Sequence, residues 1–259
     1  MFTIIVPTHD RPLLLRRALQ SLIAQTFKDF TVIVVDDAAS YIPPFDELAA
    51  LQGRYVYVIR SGVSGPAESR NMGLALAKSK YLIFLDDDDS LEPGHLQALA
   101  NAVRDDAPEL LFCDFKVQTE DRTASPPKVL ALQEASIADA TVGSVYVRNR
   151  IPNSCLVYRR DIVGDTRYDT ALPMYEDWDF LLSCLKKATL RHLPISSVVI
   201  HKSHGEAQEN LRRGNGQDDK IFGMTLYLFR KYPAPDLETR LARQNFLTQA
   251  GVAVGLELC

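Results

Sequence analysis

The amino-acid sequence predicts an α/β fold in which a mostly parallel sheet is flanked by helices. Two observations lead to this class. Short apolar runs alternate with helical segments through the first hundred residues, and the polar residues of this region gather directly behind the apolar runs. Strands separated by helices pair in parallel, and ligands bind beyond the carboxyl ends of such strands. The sequence therefore predicts a binding site where the strands end.

Each predicted element follows from hydrophobic periodicity. Apolar runs predict four strands, at residues 2–7, 31–35, 55–59 and 81–85. Between the first two, apolar side chains recur at the spacing of one helix face: Leu15, Ala18, Leu19, Leu22 and Ile23. The glycine-bearing turn at 61–65 leads into a second helix, which begins at Pro66 because proline is favoured in a first helical turn.

Size and charge exclude several classes. The chain has 259 residues, 46% of them hydrophobic, so we expect one large domain with a small appendage. A formal charge of −4 and a pI near 5.8 argue against a general nucleic-acid binder. No apolar run approaches the roughly 18 to 20 residues that span a bilayer, and the chain enters a strand without a charged leader. We therefore expect a cytoplasmic protein. Its four cysteines lack the spacing of a zinc site or disulfide framework.

Four consecutive aspartates, at 86–89, stand directly behind the fourth strand. Adjacent carboxylates repel one another unless a cation lies between them, so the run predicts a divalent metal site that handles a metal-bound phosphate. A solvated acidic turn is the alternative. An EF-hand is excluded, since Leu91 and Gln97 stand where its loop needs glycine and glutamate.

Four motifs then occur in order: I-I-V-P-T-H-D-R, V-I-V-V-D-D-A-A-S, G-P-A-E-S-R-N-M-G-L-A-L-A and Y-L-I-F-L-D-D-D-D-S. With I-P-N-S-C-L-V-Y-R-R and Y-E-D-W-D-F further on, they make the sequence resemble the inverting glycosyltransferases of family 2, which have the GT-A fold. The resemblance implies a GT-A domain over 1–205. Its nucleotide-binding half covers about 1–115 and its acceptor half about 116–205, with a C-terminal helical extension over 206–259.

The resemblance also assigns the donor site. Asp37 would face the base, because a carboxylate can accept the ring N–H of uracil or thymine. Pro7 and Thr8 would line the nucleotide pocket, and the fixed cation of Arg70 would orient base or phosphate. Strand-end capping by Asp37 and a surface salt bridge at Arg70 are the structural alternatives.

In the family's D-x-D-type motif, one aspartate contacts the ribose and a later one binds Mn²⁺ or Mg²⁺. Alignment places Asp86 on the ribose and Asp88 on the metal, while Asp87 would share either role. The metal would neutralise the departing diphosphate as a Lewis acid. Relatives carry a histidine near His201, which is a second candidate ligand or a polar loop residue.

Asp177, within Y-E-D-W-D-F, is the candidate general base. Single displacement needs a carboxylate that removes the proton of the acceptor hydroxyl, and the family places its base in such a pair. Glu176 and Asp179 are the rivals, and capping of the apolar helix that follows is the structural alternative.

Basic residues after the last predicted strand, at 197–200, would form an electropositive lid over the diphosphate or a solvated loop: Lys202, Arg212 and Arg213. Residues 120–150 are polar and weakly periodic, which indicates a variable loop excursion.

Apolar spacing from Asp218 predicts a helix that ends before Pro233, and a second begins near Asp236. Packing on the catalytic domain, or on another subunit of a homo-oligomer, is the favoured explanation of their apolar faces. Peripheral association with an anionic membrane surface is the alternative, based on the interspersed Arg230, Lys231, Arg240 and Arg243.

Together these features predict transfer of a sugar from a nucleotide diphosphate sugar, with UDP-sugar the default donor, to a hydroxyl of a surface polysaccharide or lipid-linked glycan. The reaction would invert the anomeric centre and take place at the inner face of the membrane. A non-catalytic nucleotide-sugar-binding scaffold is the first alternative, against which Asp88 and Asp177 together argue. A sugar nucleotidyltransferase is the second, and P-T-H-D-R is not the glycine-rich phosphate loop of that class.

Overall fold

The computed structural model describes residues 1–38, 40–63, 65–124, 127–204 and 218–259. Its strands are β1 (Phe2–Thr8), β2 (Phe30–Asp36), β3 (Tyr55–Ile59), β4 (Tyr81–Phe84), β5 (Asp89–Leu91), β6 (Leu110–Asp121), β7 (Lys128–Ala135), β8 (Leu156–Arg159) and β9 (Leu190–Ser203). Its α-helices are α1 (Pro12–Ile23), α2 (Phe45–Ala50), α3 (Pro66–Leu76), α4 (His95–Ala102), α5 (Val142–Val147), α6 (Arg160–Val163), α7 (Glu176–Leu185), α8 (Asp218–Lys231) and α9 (Leu237–Gln249).

The first half of the sheet has the predicted architecture. Strands β3, β2, β1 and β4 lie side by side, and each neighbouring pair is parallel. Strands β1 and β4 are buried along their whole length, because helices cover both faces and leave no need for polar alternation. Helix α3 packs closely on β1, where any side chain at Gly73 would collide with Ile5.

The second half of the sheet is mixed. Strand β8 pairs antiparallel with β4 and β6, β9 runs parallel to β6, and β5 is antiparallel to β9. The interpretation of 120–150 as a loop excursion is wrong for much of its length, because β6 extends to Asp121, β7 pairs with it as an edge strand and α5 follows. Strand β7 is exposed on both faces, so it has no alternating row of apolar side chains that face the core. Hydrophobic periodicity therefore does not predict this strand. Ser125 and Pro126 lie outside the described residues.

Both predicted C-terminal helices are present and pack on the rest of the domain. Leu228, Phe229 and Leu247 are buried in the common core. The guanidinium of Arg243 is fully buried and donates to backbone carbonyls of Tyr146, Phe229, Tyr232 and Cys259. A buried cation costs free energy unless its donors are satisfied, so these carbonyls fix α9 against α5 and α8. The predicted division at 205/206 falls within 205–217, which lie outside the described residues.

Within the described ranges, every helix is too short or too polar to traverse a bilayer.

Candidate active site

The ends of β1 and β4 bring two predicted residues into contact. Thr8, the last residue of β1, donates its hydroxyl to Asp87 Oδ2 at 2.8 Å. The Tyr41 hydroxyl lies 3.4 Å from the same Thr8 oxygen, and Pro7 is buried just before it. Because β1 and β4 are parallel neighbours, residues far apart in the sequence meet at their carboxyl ends.

Asp37 lies behind β2 with its side chain almost fully buried. One carboxylate oxygen accepts the backbone N–H of Gly65 at 2.8 Å and a guanidinium N–H of Arg60 at 3.3 Å, while the other contacts the His9 imidazole. The carboxylate thus ties the end of β2 to the turn before α3 and to the loop after Thr8. These contacts place it at the predicted nucleotide end of the sheet.

Arg70, on α3, joins the acidic run to the start of α7. Its Nη2 donates to Asp86 Oδ1 at 2.8 Å and its Nη1 to Glu176 Oε1 at 2.9 Å, while the guanidinium lies 5.3 Å from the centre of the Tyr168 ring. Burial by itself lowers the pKa of Arg70, but the neighbouring acids outweigh burial and raise it above its ordinary value. Arg70 is therefore a permanent cation between two parts of the predicted site.

The acidic run divides into two sets of side chains. Carboxylate oxygens of Asp86, Asp88 and Asp89 lie within 4.8 Å of one another. Asp87 turns away toward Thr8 and Arg11, and burial raises its pKa to about 7, with Arg11 opposing the rise. Three carboxylates at this spacing suit a hard divalent cation such as Mg²⁺ or Mn²⁺, which prefers oxygen ligands.

Asp89 belongs to the acidic run that predicts a metal site, although alignment with the family motif assigns it no role of its own. It begins β5, is buried, and accepts the Ser154 hydroxyl at 2.7 Å. Ser154 also accepts the backbone N–H of Asp86 at 3.2 Å. The sequence signal was the length of the run itself, because a D-x-D-type motif uses fewer aspartates than the four present here.

Three acids crowd the first turn of α7, and they differ in their partners. Glu176 pairs with Arg70, and buried Asp179 pairs with Lys231 Nζ at 2.7 Å. In the part of the chain that the structure describes, Asp177 forms no ion pair; one of its oxygens accepts the N–H of Trp178 at 2.8 Å. Burial raises the pKa of Asp177 to about 6, with Glu176 adding to the rise and Arg70 opposing it. A carboxylate with such a pKa can accept a proton near neutral pH.

His201 lies next to residues 86–91, here called the acidic loop, but outside the group formed by the carboxylates of Asp86, Asp88 and Asp89. Its Nε2 is 2.8 Å from the Ser90 hydroxyl and its Nδ1 is 3.3 Å from Glu120 Oε2. Burial and then the charge of Arg17 lower the pKa of His201 to about 4, and the charge of Glu120 opposes this decrease. The imidazole is thus neutral at physiological pH, with both ring nitrogens in contact with protein atoms.

The predicted lid is described only in part. Lys202 is exposed, next to His201 on β9, whereas Arg212 and Arg213 lie outside the described residues. The electropositive lid therefore stays a prediction.

Comparison with known proteins identifies the family. The family model described as Glycosyl transferase family 2 matches residues 3–164, more than half of the chain. The chain belongs to glycosyl transferase family 2. Succinoglycan biosynthesis protein ExoW of Rhizobium meliloti (strain 1021) is 33% identical over 208 residues, which cover 71% of this chain and 63% of ExoW. The chain thus spans less than two thirds of that relative's length.

Other relatives of this family-2 chain carry names from glycan assembly. A putative colanic acid biosynthesis glycosyl transferase, WcaA of Escherichia coli (strain K12), is 27% identical over 80% of this chain and 75% of its own. The GalNAc(5)-diNAcBac-PP-undecaprenol beta-1,3-glucosyltransferase of Campylobacter jejuni is 36% identical over 38% of this chain and 32% of its own.

Solved structures confirm the predicted GT-A fold. S. aureus TarS 1-349, in complex with UDP-GlcNAc, superposes with a TM-score of 0.69 at 18% identity, covering 95% of this chain and 71% of the TarS chain. At that identity the likeness concerns the fold alone, and the fold agrees with the parallel first half and flanking helices described above.

Proposed function

We propose that this family-2 protein is an inverting, metal-dependent glycosyltransferase that uses a UDP-sugar. The observation that carries the proposal is the Arg70 bridge between Asp86 and Glu176. This bridge joins the acidic run to the first turn of α7, which supports a site in which the donor and the base would act on one sugar. The solved structures of TarS with UDP-GlcNAc and with UDP support the choice of donor.

The donor would lie along the carboxyl ends of β1, β2 and β4. Asp37 would accept the uracil N–H, Pro7 and Thr8 would line the pocket, and Asp86 would contact the ribose. The buried side chain of Asp37 supports this role, because a carboxylate held by several donors is fixed in orientation before the base arrives. Arg70 would keep Asp86 in place and contribute positive charge near the diphosphate.

Asp88, together with Asp86 and Asp89, would hold Mn²⁺ or Mg²⁺, as the spacing of their oxygens supports. When bound, the cation would neutralise the negative charge that develops on the departing diphosphate. His201 would ligate it only after its Nε2 left the Ser90 hydroxyl.

Asp177 would take the proton of the acceptor hydroxyl, on the face of the sugar opposite the diphosphate. The two rival carboxylates form ion pairs, Glu176 with Arg70 and Asp179 with Lys231. With a direct attack of this kind no covalent glycosyl-enzyme forms, and the anomeric centre inverts.

The acceptor would be a hydroxyl of a surface polysaccharide or lipid-linked glycan, handled at the inner face of the membrane. The names of the relatives support this choice, because they refer to succinoglycan, colanic acid and an undecaprenol-linked glycan.

The test begins with a thermal-shift screen of UDP-, GDP- and dTDP-sugars with and without Mn²⁺. A ligand at about 100 times its Kd stabilises the folded state by about 2.7 kcal/mol, and we expect UDP-sugars to stabilise the protein more with the metal than without it. The Asp88→Ala variant should lose the part of this stabilisation that depends on the metal. The best donor is then offered lipid-linked and polysaccharide acceptors, with products detected by mass spectrometry and the new linkage read by NMR.

Three outcomes would contradict the proposal. A retained anomeric configuration would exclude single displacement. Donor binding without a product from any acceptor would favour the scaffold alternative, and consumption of a nucleoside triphosphate with a sugar phosphate would favour the nucleotidyltransferase.

A further inference from the structure

A buried polar cluster lies behind the acidic loop, and Glu120 of β6 is at its centre. Glu120 is 2% exposed, and one oxygen accepts Arg17 Nη1 at 2.7 Å and Arg122 Nε at 2.8 Å. The other oxygen lies 3.3 Å from His201 Nδ1 and from Gln118 Nε2. A buried carboxylate is tolerated when it is paired and hydrogen-bonded on several sides. Glu120 is therefore held as a rigid anchor.

Two side chains connect this anchor to the acidic loop. Arg17, on α1, donates its Nη2 to the backbone carbonyl of Asp88 at 2.9 Å. His201, on β9, contacts the Ser90 hydroxyl at 2.8 Å through Nε2. The loop is thus held at the residue before Asp89 and at the residue after it, and both connections end on the Glu120 carboxylate.

We infer that Glu120 is a positioning residue for the acidic loop, acting through Arg17 and His201. The inference rests on the proposed function, because the loop it holds is the one proposed to bind the cation. The carboxylates of Asp86, Asp88 and Asp89 repel one another, and a backbone held from behind keeps them from relaxing apart. Outer-sphere partners of this kind typically control metal affinity by roughly 10- to 100-fold.

The first test measures the loop without any metal or nucleotide. Glu120→Gln keeps the size of the side chain but removes the charge that binds both connections. Hydrogen exchange of peptides covering 86–91 should become roughly tenfold faster, the loss expected when a hydrogen bond to a charged group is weakened. Unchanged exchange in this segment would overturn the inference.

Glu47→Gln is the matched control. Glu47 is also a buried carboxylate, and it pairs with the neighbouring α1 arginine, Arg16, at 3.3 Å. That pair makes no contact with the acidic loop in the described structure. A merely structural effect of losing a buried acid would appear in both variants, whereas the faster exchange at 86–91 should appear only in Glu120→Gln.

The second test measures Mn²⁺ affinity by calorimetry in the presence of UDP. Glu120→Gln should raise the Kd for Mn²⁺ by roughly 10- to 100-fold while UDP binding without metal is unchanged. Arg17→Met, which removes one connection and leaves Glu120 in place, should move both readouts in the same direction and serves if Glu120→Gln does not fold. An unaltered Mn²⁺ affinity in folded variants would reject the positioning role.

The two proposals fail in different ways. If the wild-type protein shows no metal-dependent UDP binding, the proposed function fails, and the exchange rates of 86–91 decide the positioning role alone. If Mn²⁺ binding is present and Asp88→Ala removes it but the Glu120 and Arg17 variants do not weaken it, the metal site stands and the positioning role is wrong.

Discussion

The proposed donor side and the proposed base side of the candidate site are built differently. The donor side stands on the ends of parallel strands β1, β2 and β4, and its predicted residues contact one another directly, as Thr8 and Asp87 do. The base side stands on α7, whose first turn is held by other helices. There Asp179 pairs with Lys231 and accepts the Tyr232 hydroxyl, while Trp178 donates to the carbonyl of Val145.

With the proposed roles, this difference predicts that nucleotide binding and proton transfer depend on different parts of the chain. Changes on the strand ends should act on donor affinity, and changes on α7 or its supports should act on turnover. Arg70 is the described side chain that donates to both the acidic run and α7, so it is the exception to this division.

The largest expected effect is that of Asp177→Asn. The amide keeps the size of the side chain but cannot accept the proton, so turnover should fall by roughly 10²- to 10⁴-fold while UDP affinity is unchanged. Steady-state kinetics and calorimetry on the same preparation measure the two quantities. Near-normal turnover would transfer the role to Glu176 or Asp179.

The pH dependence of the wild-type enzyme gives the next effect. The pKa of Asp177 is raised to about 6, and a base acts only when deprotonated. The kcat/KM should therefore be constant above that pH and fall about tenfold for each unit below it. A profile at saturating metal measures this limb, and its persistence in the residual activity of Asp177→Asn would show that another group titrates.

On the donor side, Asp37→Asn should weaken UDP binding by about tenfold, which is the loss of one charge-assisted hydrogen bond. Acceptor affinity should not change. Calorimetry with UDP and Mn²⁺ measures the effect, and Asp29→Asn, an exposed aspartate on the N-terminal side of β2, is the control. If Asp37→Asn left UDP binding intact and abolished acceptor binding, the division of work between the two sides would be wrong.

The smallest effect on activity is expected from Tyr232→Phe. It removes the hydroxyl that donates to the Asp179 carboxylate at 2.9 Å while Lys231 still pairs with the charge. The free energy of unfolding should fall by about 1–3 kcal/mol, and turnover should decline with UDP affinity unchanged. Tyr227→Phe on the exposed side of α8 is the control. A change confined to UDP affinity would contradict the support of α7 by α8.

Local patterns allowed the donor side to be predicted. The continuous apolar runs of β1 and β4 indicated buried parallel strands, and the polar residues that follow such strands share one end of the sheet. Asp37 and Asp86 accordingly lie at that end in the structure. The roles assigned to them stay proposals, as does that of Asp177.

The remaining features depend on pairing between distant segments, which periodicity does not encode. Strand β8 lies between β4 and β6 although it follows both in the sequence. Glu120 is separated from Arg17 by 103 positions, and nothing near either residue in the sequence indicates their contact. Asp89 joined the carboxylate group because β5 and Ser154 orient it, which the acidic run alone did not reveal.

The contacts of Arg70 extend beyond the segment that the family model matches. The family match ends at residue 164, yet Arg70 contacts Glu176 and the ring of Tyr168 beyond it. The Tyr168 ring in turn stacks on that of Phe180 at 4.1 Å. A fragment cut at the end of the match would lose the Glu176 partner of this buried cation, and breaking a buried pair costs roughly 3–5 kcal/mol. That is a large share of the roughly 5–15 kcal/mol that holds an ordinary domain together. The segment that the family model matches is therefore shorter than the part of the chain that supplies the partners of Arg70.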